Sequence, residues 1–426
     1  MSTVNASPAQ ASNWKQLSYF RVFVGNDASY QNNRYPLLNN RRQQLLVTVR
    51  LAAKDANGNH VQIPQSDLDN IRLIDYNTSA LIDFNNSFTG EWTSSRLHQG
   101  YTWDRGFLDS IRVLRLEQPA LFEAVEQRAH DAEALEVKLP EQIKHELENS
   151  DSNSLSVPAG EIMDDCPNGY QCVHFYISTG ASSLRRFAAR VSNADGTVFR
   201  SNYSEVGEDL GEGDKLGKFN SSFEIDPLTF PNLPNDNYGD RKSDGSGYLR
   251  DTLVSEMTRN GMKYRAYEQH LNIRMPTGRK VPIKSVIHPI GPDPVKGADV
   301  IWACRGNVSA TRTAHTYMCY PGETHIRMGQ PPNFYGWQGY YYYATDLLTM
   351  AFQAYAPRIV HAREGEVVIG HFLMSQNSYF YDTRSGARET PNKTSMLIKV
   401  IDIYGTQHNL RLSFNPDYNY LYLNKA

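Results

Sequence analysis

Gln44-Leu45-Leu46-Val47-Thr48-Val49-Arg50-Leu51, followed four residues later by Asp55-Ala56-Asn57-Gly58-Asn59, decides the fold class. The first stretch is rich in β-branched residues and partly alternates, as a half-buried strand does. The second is a hairpin signal, because Asn-Gly tolerates the positive φ that tight hairpin turns need. The same pairing of apolar run and turn recurs on both sides. Tyr19-Phe20-Arg21-Val22-Phe23-Val24 precedes Gly25-Asn26-Asp27, and Ile71 to Tyr76 reads as a further strand. Ile111-Arg112-Val113-Leu114-Arg115-Leu116 alternates in part and reads as the last strand of this region. Residues 18–118 are therefore expected to form a β-sandwich, preceded by a polar, flexible arm over 1–17.

The next stretch differs in kind. Pro119 can start a helix, and Leu121, Val125, Ala129 and Ala132 recur at helical spacing. Glu117, Glu123, Glu126, Asp131, Glu133, Glu136, Glu141, Glu146, Glu148 and Asp151 face only Arg128, Lys138 and Lys144, so residues 119–158 read as an acidic helical linker. It contains the polar run Asn149 to Ser154, a hinge by composition.

Two further β regions follow. Residues 159–262 carry strands at Cys172–Ser178, Phe187–Val191 and Val198–Arg200, then long loops from about Ser204 to Ser246. Residues 263–426 carry strands at Tyr267–Met275, Val300–Trp302, Val367–Met374, Met396–Ile401, Leu410–Phe414 and Tyr420–Leu423. An Asp-x-x-Gly turn occurs at both Asp55–Gly58 and Asp402–Gly405. The expectation is a mainly β chain of tandem, immunoglobulin-like β-sandwich modules, diverged from one another or assembled from unrelated hairpins.

Composition bounds the function. A chain of 426 residues with 40% hydrophobic and 21% charged residues can fold without metal or disulfide. A formal net charge of -3 argues against a nucleic-acid partner, which usually meets a strongly basic domain. The first residues lack the basic start and apolar run of a signal peptide, and no apolar stretch reaches membrane-helix length. These features lead to the expectation of a soluble protein, cytoplasmic as synthesised, with release or export left to routes that read no N-terminal signal.

The search for chemistry finds no Gly-x-Ser-x-Gly, phosphate loop, dinucleotide fingerprint or His-Glu-x-x-His. Asn235 to Asp240 is dense in oxygen ligands but fails the EF-hand spacing. Cys166, Cys172, Cys304 and Cys319 permit local disulfides, buried thiols or, with His174 and His315, incomplete metal sets. No metal and no cofactor are expected. His325, His361 and His371 share a region with Asp346, Glu364 and Glu366, the residue types of a dispersed hydrolytic site.

Aromatic residues are the distinctive feature, with 26 Tyr against 5 Trp and 17 Phe. Pro331 to Tyr343 joins a proline turn, Gly336, Gly339 and a tyrosine run. Rings of this kind give large contact area at low entropy cost, or else fill a core. Tyr335, Trp337 and Tyr340 are the candidate binding residues, with Trp103 as a second contact. The expectation is a non-enzymatic binding or assembly protein, open to homo-oligomerisation, that recognises a protein or glycan. A toxin-like protein engaging a receptor or membrane and a hydrolase with a dispersed site are the alternatives.

Overall fold

The computed structural model describes residues 14–24, 34–85, 90–123, 166–205, 211–213, 217–259, 262–287, 302–307, 310–319, 321, 361, 363–375, 395–417 and 419–426. The protein is mainly β, with several sheets. Its chain divides into two compact units, Met1–Asn232 and Leu233–Ala426.

The first unit contains β1 (Gln16–Val24), β2 (Arg34–Leu38), β3 (Leu45–Lys54), β4 (His60–Val61), β5 (Arg72–Asp75), β6 (Asp83–Phe84), β7 (Trp92–Ser95), β8 (Gln171–Thr179), β9 (Arg185–Ser192), β10 (Val198–Arg200) and β11 (Phe223–Leu228). A single helical turn, α1 (Gln65–Leu68), and a longer helix, α2 (Arg105–Glu117), complete it. One sheet runs β1-β3-β8-β7-β6 with β4 beside β3; the other runs β10-β9-β11-β2 with β5 beside β9. Most pairs are antiparallel, whereas β2–β11 and β6–β7 are parallel.

Alternation along the strands explains why the two sheets pack. Phe20 and Val22 of β1, Val47 and Val49 of β3, and Phe175 and Ile177 of β8 point one way. They share a core with Leu37 of β2, Leu73 of β5, Phe187 and Ala189 of β9, and Ile225 of β11. Full burial of each large side chain contributes about 1.5–3 kcal/mol. The intervening residues of each strand form the opposite face of its sheet.

Four expectations are corrected here. Ile111–Leu116 belongs to α2 and is not a strand. Phe107, Leu108, Ile111 and Leu114 are buried at helical spacing, while Val113 and Leu116 are exposed. Asp104 caps the helix by accepting from the Phe107 N–H at 3.0 Å, and Arg112 ties it to Asp226 of β11 at 2.5 Å. Of the arm over 1–17, residues 14–17 are described, and they do not form a flexible arm. Trp14 and Leu17 are in the core, and the Trp14 indole donates to Asp67 at 2.7 Å.

The division into domains at 18–118 and 159–262 also differs. Strand β8 lies between β3 and β7, and β11 pairs with β2, so both stretches build one unit. The boundary at 262/263 would cut the β12–β13 hairpin described below, and the chain divides instead between Asn232 and Leu233. The fourth correction concerns the stretch from Ser204 to Ser246, read as long loops. It supplies β11 and the core residues Phe219, Phe223 and Ile225. Of the acidic linker, residues 119–123 are described and begin a helical turn with Phe122 buried. Its remainder, including the hinge at 149–154, lies outside the described residues.

The second unit contains β12 (Thr252–Arg259), β13 (Met262–Leu271), β14 (Ile273–Arg274), β15 (Lys280–Val281), β16 (Ile283–Ile287), β17 (Trp302–Asn307), β18 (Ala310–Cys319), β19 (Val367–Ser375), β20 (Ser395–Asp402), β21 (Gln407–Phe414) and β22 (Leu421–Lys425). They form an antiparallel sheet β12-β13-β19-β18-β17, a second one β16-β20-β21-β22, and the small β14–β15 hairpin.

One turn design closes hairpins in both units. At Asp55–Asn59 the Gly58 N–H donates to the Asp55 carbonyl at 3.1 Å, and Asp55 N–H donates to the Asn59 carbonyl at 2.9 Å. Asp55 Oδ1 accepts from the Asn57 and Asn59 N–H groups. Asp402–Thr406 repeats every one of these bonds, with Tyr404 and Thr406 donating to Asp402 Oδ1 at 2.9 Å each. Asn193–Thr197 repeats the backbone pair and one side-chain bond. Gly58, Gly196 and Gly405 sit at φ of 85°, 83° and 86°, the left-handed position of a three-residue hairpin loop. There Asn193 takes the place of the Asp.

Candidate binding face

Tyr335, Trp337 and Tyr340 lie outside the described residues. Trp103 is half-buried against the first unit's core, and its indole N–H donates to the Pro36 carbonyl of β2 at 2.8 Å. That ring anchors the approach to α2.

Cys166 and Cys172 form a disulfide with Cα atoms 5.7 Å apart. Cys304 faces Thr313 across β17–β18, six residues short of Cys319 on the same strand.

The disulfide matters because of what its loop carries. Within it the Tyr170 N–H donates to the Pro167 carbonyl at 3.1 Å, and Gly169 takes φ 90°. The turn lays Tyr170 onto the outward face of the six-stranded sheet. Its ring meets Tyr19 of β1 edge-on at 4.8 Å, and the residue remains 38% exposed.

The ladder register fixes the other members of that face. Tyr19, Arg21 and Phe23 alternate with core residues on β1; Thr48 and Arg50 do so on β3; Cys172, His174 and Tyr176 do so on β8. Arg21 stands directly opposite Arg50, and Arg50 opposite Cys172. In the next row Phe23 faces Thr48 and Thr48 faces His174, whose Nδ1 lies 3.1 Å from the Thr48 hydroxyl. Beyond them Tyr176 stacks on His98 at 4.9 Å, and burial pushes its hydroxyl above the ordinary tyrosine range.

Two arginines opposite one another repel, and such pairs destabilise a sheet. Here aromatic faces provide the offset. The Arg50 guanidinium lies 4.7 Å from the Phe23 centroid and 5.8 Å from that of Tyr170, and Arg21 lies 5.9 Å from Phe23. Each contact stabilises by about 0.5–1 kcal/mol at an exposed site. Among the described residues no carboxylate forms an ion pair with Arg21 or Arg50. Glu212 bridges Tyr19 along the other edge of β1, where the Phe20 N–H donates to the Gly211 carbonyl at 2.9 Å, and it pairs with neither arginine. The face can therefore accept negative charge.

The second unit holds its polar residues differently. Glu366 is 3% exposed and lies 3.1 Å from His270, 2.5 Å from Lys280 and 3.5 Å from Arg363. Arg363 also reaches Asp240 at 2.8 Å, where Arg274 pairs as well and Asn272 donates at 2.9 Å. Burial alone would raise both carboxyls. Hydrogen bonds and positive neighbours outweigh it and hold Asp240 and Glu366 below their ordinary values. The oxygen-rich stretch 235–240 is thus committed to protein partners, since Asn235 Oδ1 accepts from Lys425 N–H and Asn237 donates to the Arg274 carbonyl.

His361 pairs with Glu268 at 2.9 Å, and His371 lies 3.4 Å from Gln269. The two histidines therefore meet neither Glu364 nor Glu366, whereas His325 and Asp346 lie outside the described residues. A third array links Tyr238, His408 and Asp402. The tyrosine hydroxyl is 3.1 Å from Nδ1 and the carboxylate 3.1 Å from Nε2. The carboxylate accepts only, so Nε2 carries the proton and Nδ1 accepts from the hydroxyl. Burial and the Asp402 charge push the Tyr238 hydroxyl upward. All three residues are at most 5% exposed, so the array cross-links the fold with no open route to a substrate.

No protein-family model matches the chain, and no curated protein is similar to it. Among the described residues, no three His, Cys, Asp or Glu side chains converge as metal ligands. Among them too, no helix is long and apolar enough to cross a membrane.

Sequence reasoning missed the Arg21–Arg50 pair. Its signal was present, because each arginine interrupts an apolar strand at a position whose i±2 neighbours share its face. Only the register places the two side by side.

Proposed function

We propose that this protein is a non-enzymatic binding or assembly protein that recognises a protein or glycan on the outward face of the first unit's six-stranded sheet. Tyr19, Arg21, Phe23, Arg50 and Tyr170 form its centre. One observation carries the reading: Arg21 and Arg50 face each other over a shared Phe23 ring with no carboxylate partner. Arginine and tyrosine dominate interface hot spots because they combine broad contact with directed hydrogen bonding. The finer architecture belongs to the same proposal: tandem sandwich modules of immunoglobulin-like type, with rigid sheets that hold such a face in place.

Light scattering with and without glycans or liposomes tests this function on the full chain. A partner, or a second copy, is expected to bind the wild type and to bind Arg50→Ala about tenfold or more weakly. Equal binding by both proteins would remove this face from recognition.

A further inference from the structure

We infer that the Arg21–Arg50 face takes an anionic sugar, a pyranose carrying a carboxylate or sulfate group. The inference rests on the proposed binding role of this face and names its ligand class. Three features converge. Tyr170, a residue 38% exposed, offers its ring from a disulfide-closed turn beside Tyr19. The C–H face of a pyranose packs against such a ring, which is apolar in body and polar at its tip.

Arg50 lies against the same ring at 5.8 Å, so a sugar stacked on Tyr170 brings its ring substituents to a guanidinium. Arg21, one strand spacing away, adds a second fork of donors. Planar guanidinium groups bind carboxylate and sulfate oxygens by paired N–H···O bonds, which lysines do not match. The row beyond adds the His174 imidazole, partly exposed and 3.1 Å from the buried Thr48 hydroxyl, a polar group suited to a sugar hydroxyl.

The other face of the same sandwich provides an internal control. Arg190 of β9 stands opposite Arg200 of β10 and opposite Arg72 of β5, again with no carboxylate partner to Arg190 or Arg200 among the described residues. Among the described residues no aromatic ring lies under the Arg190 or Arg200 guanidinium, whereas Arg72 at the end of that row lies 4.2 Å from the Phe84 centroid. Nonspecific attraction of a polyanion would use both faces, whereas recognition of an anionic sugar needs the rings as well as the charge.

The test titrates the full-length protein with a sulfated oligosaccharide, a uronic-acid oligosaccharide and a neutral oligosaccharide of equal length. The wild type is expected to bind at least one anionic oligosaccharide and to ignore the neutral one. The two anionic probes separate a sulfate from a carboxylate source. R21Q/R50Q and Tyr170→Ala are each expected to weaken that binding about tenfold or more. R190Q/R200Q is expected to stay within about twofold, and every variant to keep its melting temperature within about 3 °C.

Equal affinity for neutral and anionic sugars, or equal losses in R21Q/R50Q and R190Q/R200Q, would overturn the inference. Absence of anionic-sugar binding while a protein partner still needs Arg50 would overturn the sugar and leave the binding role standing. If neither a sugar nor a protein partner depends on Arg50, both fall.

Discussion

Single residues decide this fold at its turns and buried polar groups. Gly58 is the cleanest case: its φ is 85° and a Cβ there would meet nothing within 4 Å. Gly58→Ala therefore isolates backbone strain and is expected to cost about 1 kcal/mol in denaturant unfolding, with Gly58→Asn costing less. Tyr238 tests the buried Tyr–His–Asp array. Tyr238→Phe removes the buried hydroxyl that lies 3.1 Å from His408 Nδ1 and is expected to cost about 1–3 kcal/mol, measured in the same way.

Much at this scale was legible beforehand. Asp55-Ala56-Asn57-Gly58 announced its hairpin because the left-handed position has a residue signature. The Tyr238–His408–Asp402 array was not legible, since it joins positions 170 residues apart through tertiary packing alone.

At the scale of elements, strands with a mostly apolar run were readable and the helix was not. Val367 to Met374 and Met396 to Ile401 lie within β19 and β20 as expected. The stretch Ile111–Leu116 alternates just enough to suggest a strand, because a helical face of period 3.6 and a strand of period 2 overlap over six residues. The wider window from Asp104 separates them through Phe107 and Leu108. Strands β2 and β11 were hidden by Pro36 and Pro227, residues that weaken a strand reading although both lie on the parallel β2–β11 pair.

The disulfide loop gives the prediction at this scale. Reduction of Cys166–Cys172, or Cys172→Ser, is expected to free Tyr170 from Tyr19 and Arg50. Binding at the face should weaken, while the near-ultraviolet circular dichroism of the core rings is retained. Simultaneous loss of that signal would mean that the bridge holds the whole unit rather than the face.

At the scale of the whole molecule, acid acts on two carboxylates that help to hold the second unit. Asp240 and Glu366 of the second unit are held below their ordinary values of 3.8 and 4.5. The folded state thus binds fewer protons than the unfolded chain as pH drops. The resulting stabilisation is complete above those ordinary values and is lost as pH falls through the lowered folded ones. Melting temperature followed from neutral pH downward should therefore drop on the acid side, and Asp240→Asn should show a shallower drop. Parallel curves for the two proteins would assign acid sensitivity elsewhere.

The division of the chain was the least legible feature at this scale. Local composition drew a boundary through the acidic linker, yet the strands on its two sides pair as β3 and β8. Pairing between strands more than a hundred residues apart leaves no local mark in either strand. The proposed binding face shares that origin. Tyr19, Arg50 and Tyr170 come from three separated segments, which is why the compact aromatic run at 331–343 drew attention first.

The most direct measurement sets binding beside stability for Tyr170→Ala and Arg50→Ala in the full chain. Tyr170 is exposed enough that its loss should leave the melting temperature close to that of the wild type, while binding of the anionic oligosaccharide or protein partner falls by ~2 kcal/mol or more. A large drop in melting temperature, with binding lost only in proportion to the unfolded fraction, would contradict a recognition role for this face and make it a structural patch.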